Sequence, residues 1–101
     1  MVDLYRELRT TIRTGKIVLG YERSIKLVKL GKPKLVIMAA NAPVEIKEDI
    51  ERYTKLAKIP LYVFQGTTLD LGAICNKPFM VSVIAILDPG ESRLMDLVKG
   101  E

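Results

Sequence analysis

The sequence contains no histidine and one cysteine, Cys75. Within a single chain this excludes a disulfide, a Cys/His zinc site, a Ser-His pair and a Cys-His pair, and with them most common enzyme designs. Cys75 is read as a small buried hydrophobe, and neither catalysis nor a cofactor is expected. Apolar runs approaching the ~18 residues of a membrane helix are also missing. The opening MVDLYRELR is charged and amphipathic, unlike a signal peptide, so a cytoplasmic protein with no membrane partner is expected. There is no internal repeat, linker or low-complexity tract. The 101 residues, 49% hydrophobic and 28% charged, predict one folded domain over 1–101 with a real core.

A triphosphate-binding loop is absent too. GKIVLGYERS, residues 15–24, sets two glycines five apart, but Tyr21 and Glu22 stand where such a loop needs a Lys and a hydroxyl. The residues between the glycines, Lys16-Ile17-Val18-Leu19, are mostly apolar and β-branched, so they read as a strand. What remains is a strand, a Gly at a turn, and a helix whose first N–H groups point outward.

Positive charge is concentrated in the first half. The net charge is +4, yet residues 1–42 carry nine Lys/Arg against three acids while residues 43–101 carry seven against nine. Arg23, Lys26, Lys29, Lys32 and Lys34 cluster on and just after the helix that Tyr21 begins. Such a cluster is either a solvated helix face or a face that meets phosphates.

Hydrophobic spacing supplies the elements. Leu4, Leu8 and Ile12 predict a first helix ending at Gly15; a second runs from Tyr21 to Gly31, with Ile25, Leu27 and Val28 inward. Leu35-Val36-Ile37-Met38 is an unbroken apolar run, hence a strand buried on both faces. After Pro43, the stripe Ile46, Ile50, Tyr53, Ala57 predicts a third helix, with an acidic outer face suited to another protein. Ile59–Phe64 reads as a third strand. Thr67 or Thr68 then caps a short helix to Cys75 that turns Leu69, Leu71 and Ile74 inward. NKPFM, residues 76–80, reads as a loop and Val81–Leu87 as a fourth strand. Asp88-Pro89-Gly90-Glu91 reads as a cap with Pro at the first position of a C-terminal turn or helix. The alternation predicts the α/β class, a three-layer α/β/α sandwich.

Three junctions then fall on one rim. The strand-to-helix turns at Gly20 and at Ala39–Pro43 share it if their strands are parallel, and NKPFM joins them if the fourth strand runs antiparallel. Each has two readings. Gly20 serves either backbone conformation alone or a binding turn; Asn41 either caps a helix or offers its amide to a ligand; Phe79 and Met80 are either core or an exposed apolar tip.

Several segments in order resemble one family. LGY leading into a basic helix, KLVIMAANAP at the second junction, FQG before the short helix and ILDPGES near the end are similar to the archaeal and eukaryotic large-subunit ribosomal protein thirty-e family. That family lies in the superfamily that binds kink-turn RNA. The resemblance implies a four-stranded mixed sheet and an RNA-binding rim. It places contacts on Gly20, Tyr21 and Glu22, on Asn41, and on Phe79 with Val81. Glu22 and Ser82 stand where the resemblance leads one to expect Lys and Gly, so Arg23, with Lys26 behind it, is the expected source of charge. Met80 joins Phe79 in covering an unstacked base. The implied role is a ribosomal constituent that binds ribosomal RNA, monomeric when free and set among neighbouring ribosomal proteins. The same module working outside the ribosome, in a guide-RNA particle or on its own message, is the alternative.

Overall fold

The computed structural model describes residues 3–98. Helix α1 (Leu4–Thr14) begins where Asp3 Oδ1 accepts the Tyr5 N–H at 3.1 Å, and it ends at Gly15. Strand β1 (Lys16–Leu19), helix α2 (Tyr21–Lys29), strand β2 (Leu35–Ala39) and helix α3 (Val44–Ala57) follow. Strand β3 (Leu61–Phe64), helix α4 (Thr68–Ile74), strand β4 (Val83–Asp88) and a 3-10 turn (Leu94–Leu97) complete the chain. Both α3 and β2 form where their apolar spacing places them.

The sheet order is β1-β4-β2-β3. Strand β4 is antiparallel to both β1 and β2, whereas β2 and β3 are parallel, so β1, β2 and β3 all point one way. This is the mixed α/β/α sandwich that the element pattern predicts. All five residues of β2 are buried, because helices cover both faces of the sheet. Leu35, Ile37 and Ala39 pack with Leu8, Leu71, Ile84, Ile86 and Leu94 against α1, α4 and the 3-10 turn. Val36 and Met38 pack with Ile25, Val28, Ile50 and Val83 against α2 and α3. The alternation along one strand therefore divides the core into two layers.

Some details differ from the pattern reading. Strand β3 starts at Leu61 and not at Ile59, and β4 at Val83 and not at Val81, whose N–H donates to the Thr68 carbonyl instead of to a strand. Leu69 is 66% exposed. A seven-residue helix is barely two turns long, and Leu71 and Ile74 already occupy the face it buries. The C-terminal turn starts at Leu94 and not at Pro89, because Asp88 Oδ1 accepts the Gly90 N–H at 2.9 Å and closes a turn there. That loop is fastened to α1. Thr11 Oγ1 donates to the Pro89 carbonyl at 3.0 Å, Thr14 Oγ1 accepts the Glu91 N–H at 3.0 Å, and Glu7 Oε1 accepts the Arg93 N–H at 2.7 Å. The ILDPGES segment thus anchors the chain end on the side of the sheet remote from the rim.

Candidate nucleic-acid interface

The strand directions put the ends of β1 and β2 and the start of β4 on one rim. Main-chain bonds sew it together: Gly20 N–H donates to the Val83 carbonyl and Ala39 N–H to the Ser82 carbonyl, each at 2.9 Å. Gly20 has φ 99° and ψ 151°, a conformation open to glycine and costly for other residues. Its conformation lets the chain turn sharply into α2. No side chain caps that helix, so the amide protons of its first turn stay available to an acceptor from outside.

Residues of that first turn diverge. The Tyr21 hydroxyl donates to Asp49 Oδ2 on α3, which ties the two helices together. That hydrogen bond, with burial behind it, pushes the phenol above its ordinary pKa of 10.0. Tyr21 therefore keeps its proton at neutral pH and faces the helix layer. Glu22 is exposed at the positive end of the helix dipole. Arg23 and Lys26, one turn on, reach a groove of about 790 Å³ between α2 and the segment before β4.

Facing them across the groove are Lys77, Phe79 and Met80. Phe79 is 53% exposed and Met80 69%, so the core alternative does not describe them. Val81 is 2% exposed; its N–H donates to the Thr68 carbonyl at 3.0 Å and its side chain belongs to the core beneath the groove. Leu19 and Leu27 add apolar surface to the groove beside its cations.

The 76–80 loop is held by the end of α4. Asn76 is left-handed at φ 58°, its N–H donates to the Ala73 carbonyl at 2.9 Å, and Lys77 N–H donates to the Gly72 carbonyl at 3.0 Å. This paired closure caps the helix and redirects the chain. Gly72 makes room for it, since a Cβ there would lie 2.1 Å from the Phe79 carbonyl oxygen.

Asn41 does not cap α3, whose cap position is Pro43. Its Oδ1 accepts the Thr68 N–H at 2.8 Å and so pins the start of α4. The side-chain nitrogen has no partner among the described residues and Asn41 is exposed, so its NH₂ group is offered outward as a donor. Thr68 passes the brace on through its carbonyl to Val81. Asn41, Tyr21 and Glu22 lie outside the groove, which brings together Gly20, Arg23, Lys26, Phe79, Met80 and Val81.

The basic cluster of α2 divides. Arg23 and Lys26 line the groove, while Lys29 Nζ stacks 4.7 Å from the centre of the Tyr53 ring. Lys32 and Lys34 follow the helix to where β2 starts, the end opposite the rim. Lys77 escaped the sequence reading, although a cation beside Pro78 in a loop already assigned to the rim was the available signal.

Cys75 is 4% exposed beneath the groove, and burial pushes its thiol up to about 11 from an ordinary 9.0. The raised value means that the thiol's contribution to stability is constant below about pH 9 and falls as the pH rises toward 11, where only the unfolded thiol ionises freely. Cys75→Ser is expected to leave RNA binding unchanged. Its stability deficit against wild type should narrow between pH 9 and 11, measured by denaturant unfolding at stepped pH. A constant deficit across that range would show that the thiol is not held neutral by the fold.

Residues 3–96 match the Ribosomal protein L7Ae/L30e/S12e/Gadd45 family. The chain belongs to this family. The L7Ae/L30e match runs from the cap of α1 into the 3-10 turn, so the whole rim lies inside it. Among curated relatives, the large ribosomal subunit protein eL30 of Methanopyrus kandleri is 52% identical, covering 98% of this chain and 91% of that protein. The eL30 of Methanothermobacter thermautotrophicus is 47% identical over 96% of this chain and 99% of its own length. That of Sulfurisphaera tokodaii is 48% identical, with 92% and 88% covered. A solved structure described as a protein with unknown function from Bacillus halodurans C shares the fold, with a TM-score of 0.80 and 25% identity over 96% of each chain.

Proposed function

We propose that the chain is a non-catalytic constituent of the large ribosomal subunit, in the cytoplasm, that binds kinked internal-loop RNA, chiefly ribosomal RNA, through the rim groove. The observation that carries this reading is the pair Phe79 and Met80, exposed across a groove from Arg23 and Lys26. An exposed ring in a loop held by helix α4 offers a stacking surface for a splayed base, and the facing cations suit the phosphates on either side. Amide protons of the first turn of α2 and the Asn41 amide add hydrogen-bond donors for base edges or phosphate oxygens. Tyr21 and Val81 act beneath the site, one by fixing α2 on α3 and the other by holding the loop on α4. Glu45, Glu48 and Glu51 are exposed on α3, in the layer suited to a neighbouring protein.

A regular A-form duplex hides its base edges in a deep, narrow groove, whereas a kinked internal loop exposes faces and edges. The protein is therefore expected to bind a kink-turn RNA at least about 100-fold tighter than a perfect duplex of equal length, a gap of about 2.7 kcal/mol. Titration of both RNAs at one salt concentration tests it. Equal affinities would leave only a nonspecific polycation.

A further inference from the structure

The rim accounts for Arg23, Lys26 and Lys77 but not for the cations of the first helix. Arg6, Arg9 and Arg13 recur along α1 at steps of three and four, and all are exposed. At 1.5 Å per residue they form one stripe about 10 Å long. With Asp3, Tyr5 and Thr10 they border a shallow hollow of about 440 Å³. The acids at this helix are engaged with main-chain N–H groups. Asp3 Oδ1 accepts the N–H groups of Tyr5 and Arg6 at the helix start, and Glu7 Oε1 accepts the Arg93 N–H. Among the described residues the ion pairs are Arg52–Asp49 and Arg93–Asp96, so the guanidinium groups of the stripe form none, and the hollow holds three cations against the one carboxylate of Asp3.

The stripe is continuous with the rim. Arg9 faces the end of α4 across a hollow of about 380 Å³ that it shares with Ile74, Cys75 and Asn76. Cys75 and Ile12 border both this hollow and the rim groove, and Lys77 follows Asn76 directly. A basic path thus leads from the groove over the end of α4 to α1. Its chemistry differs from that of the groove, because three guanidinium groups dominate it and its one ring, the half-exposed Tyr5, makes a T-shaped contact with Phe64 at 5.9 Å. A row of guanidinium forks matches phosphate oxygens, which a helical RNA arm displays while its base edges lie in a deep, narrow groove.

We propose that the Arg6, Arg9 and Arg13 stripe is a second RNA surface, which holds the phosphodiester backbone of a helical arm leaving the kinked loop seated in the groove. The proposal rests on the reading of the rim as an RNA site. An A-form arm displays its phosphates whatever its sequence, so this contact extends affinity without adding base discrimination.

Two RNAs test it, one with the kinked loop and minimal arms and one with the same loop and arms a full helical turn longer. In the full chain, Arg6→Gln/Arg9→Gln/Arg13→Gln is expected to weaken the long-armed RNA about tenfold or more near 0.1 M salt and to lower the salt slope by ~0.7 to 0.9 per lost contact. Binding of the short-armed RNA should not change. The corresponding triple Arg→Lys variant should restore the slope, since charge and not planarity sets counterion release. If the triple Gln variant loses its thermal transition, the single Arg9→Gln and Arg13→Gln variants carry the same comparison at one contact each. Wild-type binding of the long-armed RNA, or an equal loss on both RNAs, would overturn the second surface. Phe79→Ala separates the two claims. It should weaken both RNAs alike, and if it weakens neither, the reading of the rim fails whatever the stripe does.

Discussion

Phe79→Ala will weaken binding of a kinked RNA by about 1 to 3 kcal/mol, the range for a base stacked on an aromatic side chain, while the melting temperature stays near that of wild type. The two halves of that result come from one number. Phe79 is 53% exposed, so truncation opens no cavity in the core, whereas a fully buried Phe would lose about 3 to 5 kcal/mol of folding stability. Because the ring is uncharged, the salt dependence of the remaining binding should be that of the wild type. Thermal unfolding and RNA titration run side by side decide it. A variant that melts early but binds normally once folded would transfer Phe79 from the binding surface to the scaffold.

Gly72→Ala produces the opposite pattern of local gain and wider loss. In a helix, Ala is favoured over Gly by ~1 kcal/mol. Here the new methyl would start 2.1 Å from the Phe79 carbonyl oxygen and 3.2 Å from its carbonyl carbon. Both are main-chain atoms of the binding loop, which must retreat by roughly 1 Å or more to reach an ordinary contact. Overpacking of this kind costs about 1 to 3 kcal/mol, so net destabilisation is expected. The larger effect falls on RNA, because the segment that moves carries Phe79 and Met80. Calorimetry and titration should show a lowered melting temperature together with weaker kinked-RNA binding. A variant that melts higher and binds normally would show that the loop gives way freely and that its seat on α4 is immaterial.

Local pattern made the layers legible. The run Leu35–Met38 could only be a doubly covered strand, and the i, i+4, i+7 spacing of Ile46, Ile50 and Tyr53 fixed the buried face of α3. Basic residues on α2 were legible only as a group. Helix direction sends Arg23 and Lys26 to the groove and carries Lys29 to the far end, and charge spacing alone holds no information about which end is the rim. The bond between Asn41 and Thr68 joins residues 27 apart in sequence, and the hydroxyl contacts of Thr11 and Thr14 join residues nearly 80 apart. Contacts of that span leave no local signature. Met80 and Leu69 teach a related lesson, since an apolar residue in a short loop or a two-turn helix is buried only if a neighbour arrives to cover it.

The order β1-β4-β2-β3 has a consequence for the chain as it is made. The final strand is also an inner one, and β1 hydrogen-bonds to no other strand. While the chain is still emerging from its exit channel, β1 has no strand to pair with until the residues through Asp88 are free, although α1 and α2 can already rest on the two faces of β2. Helices α1, α2 and α3 can gather on the parallel pair β2–β3 before then, while β1 waits unpaired. Closure depends on pairing Ile17 with Ile86, a contact of long sequence separation and correspondingly slow to form. A nascent chain stopped before β4 would therefore lack the strand that joins the end of β1 to the end of β2, and the rim is whole only once β4 is in place.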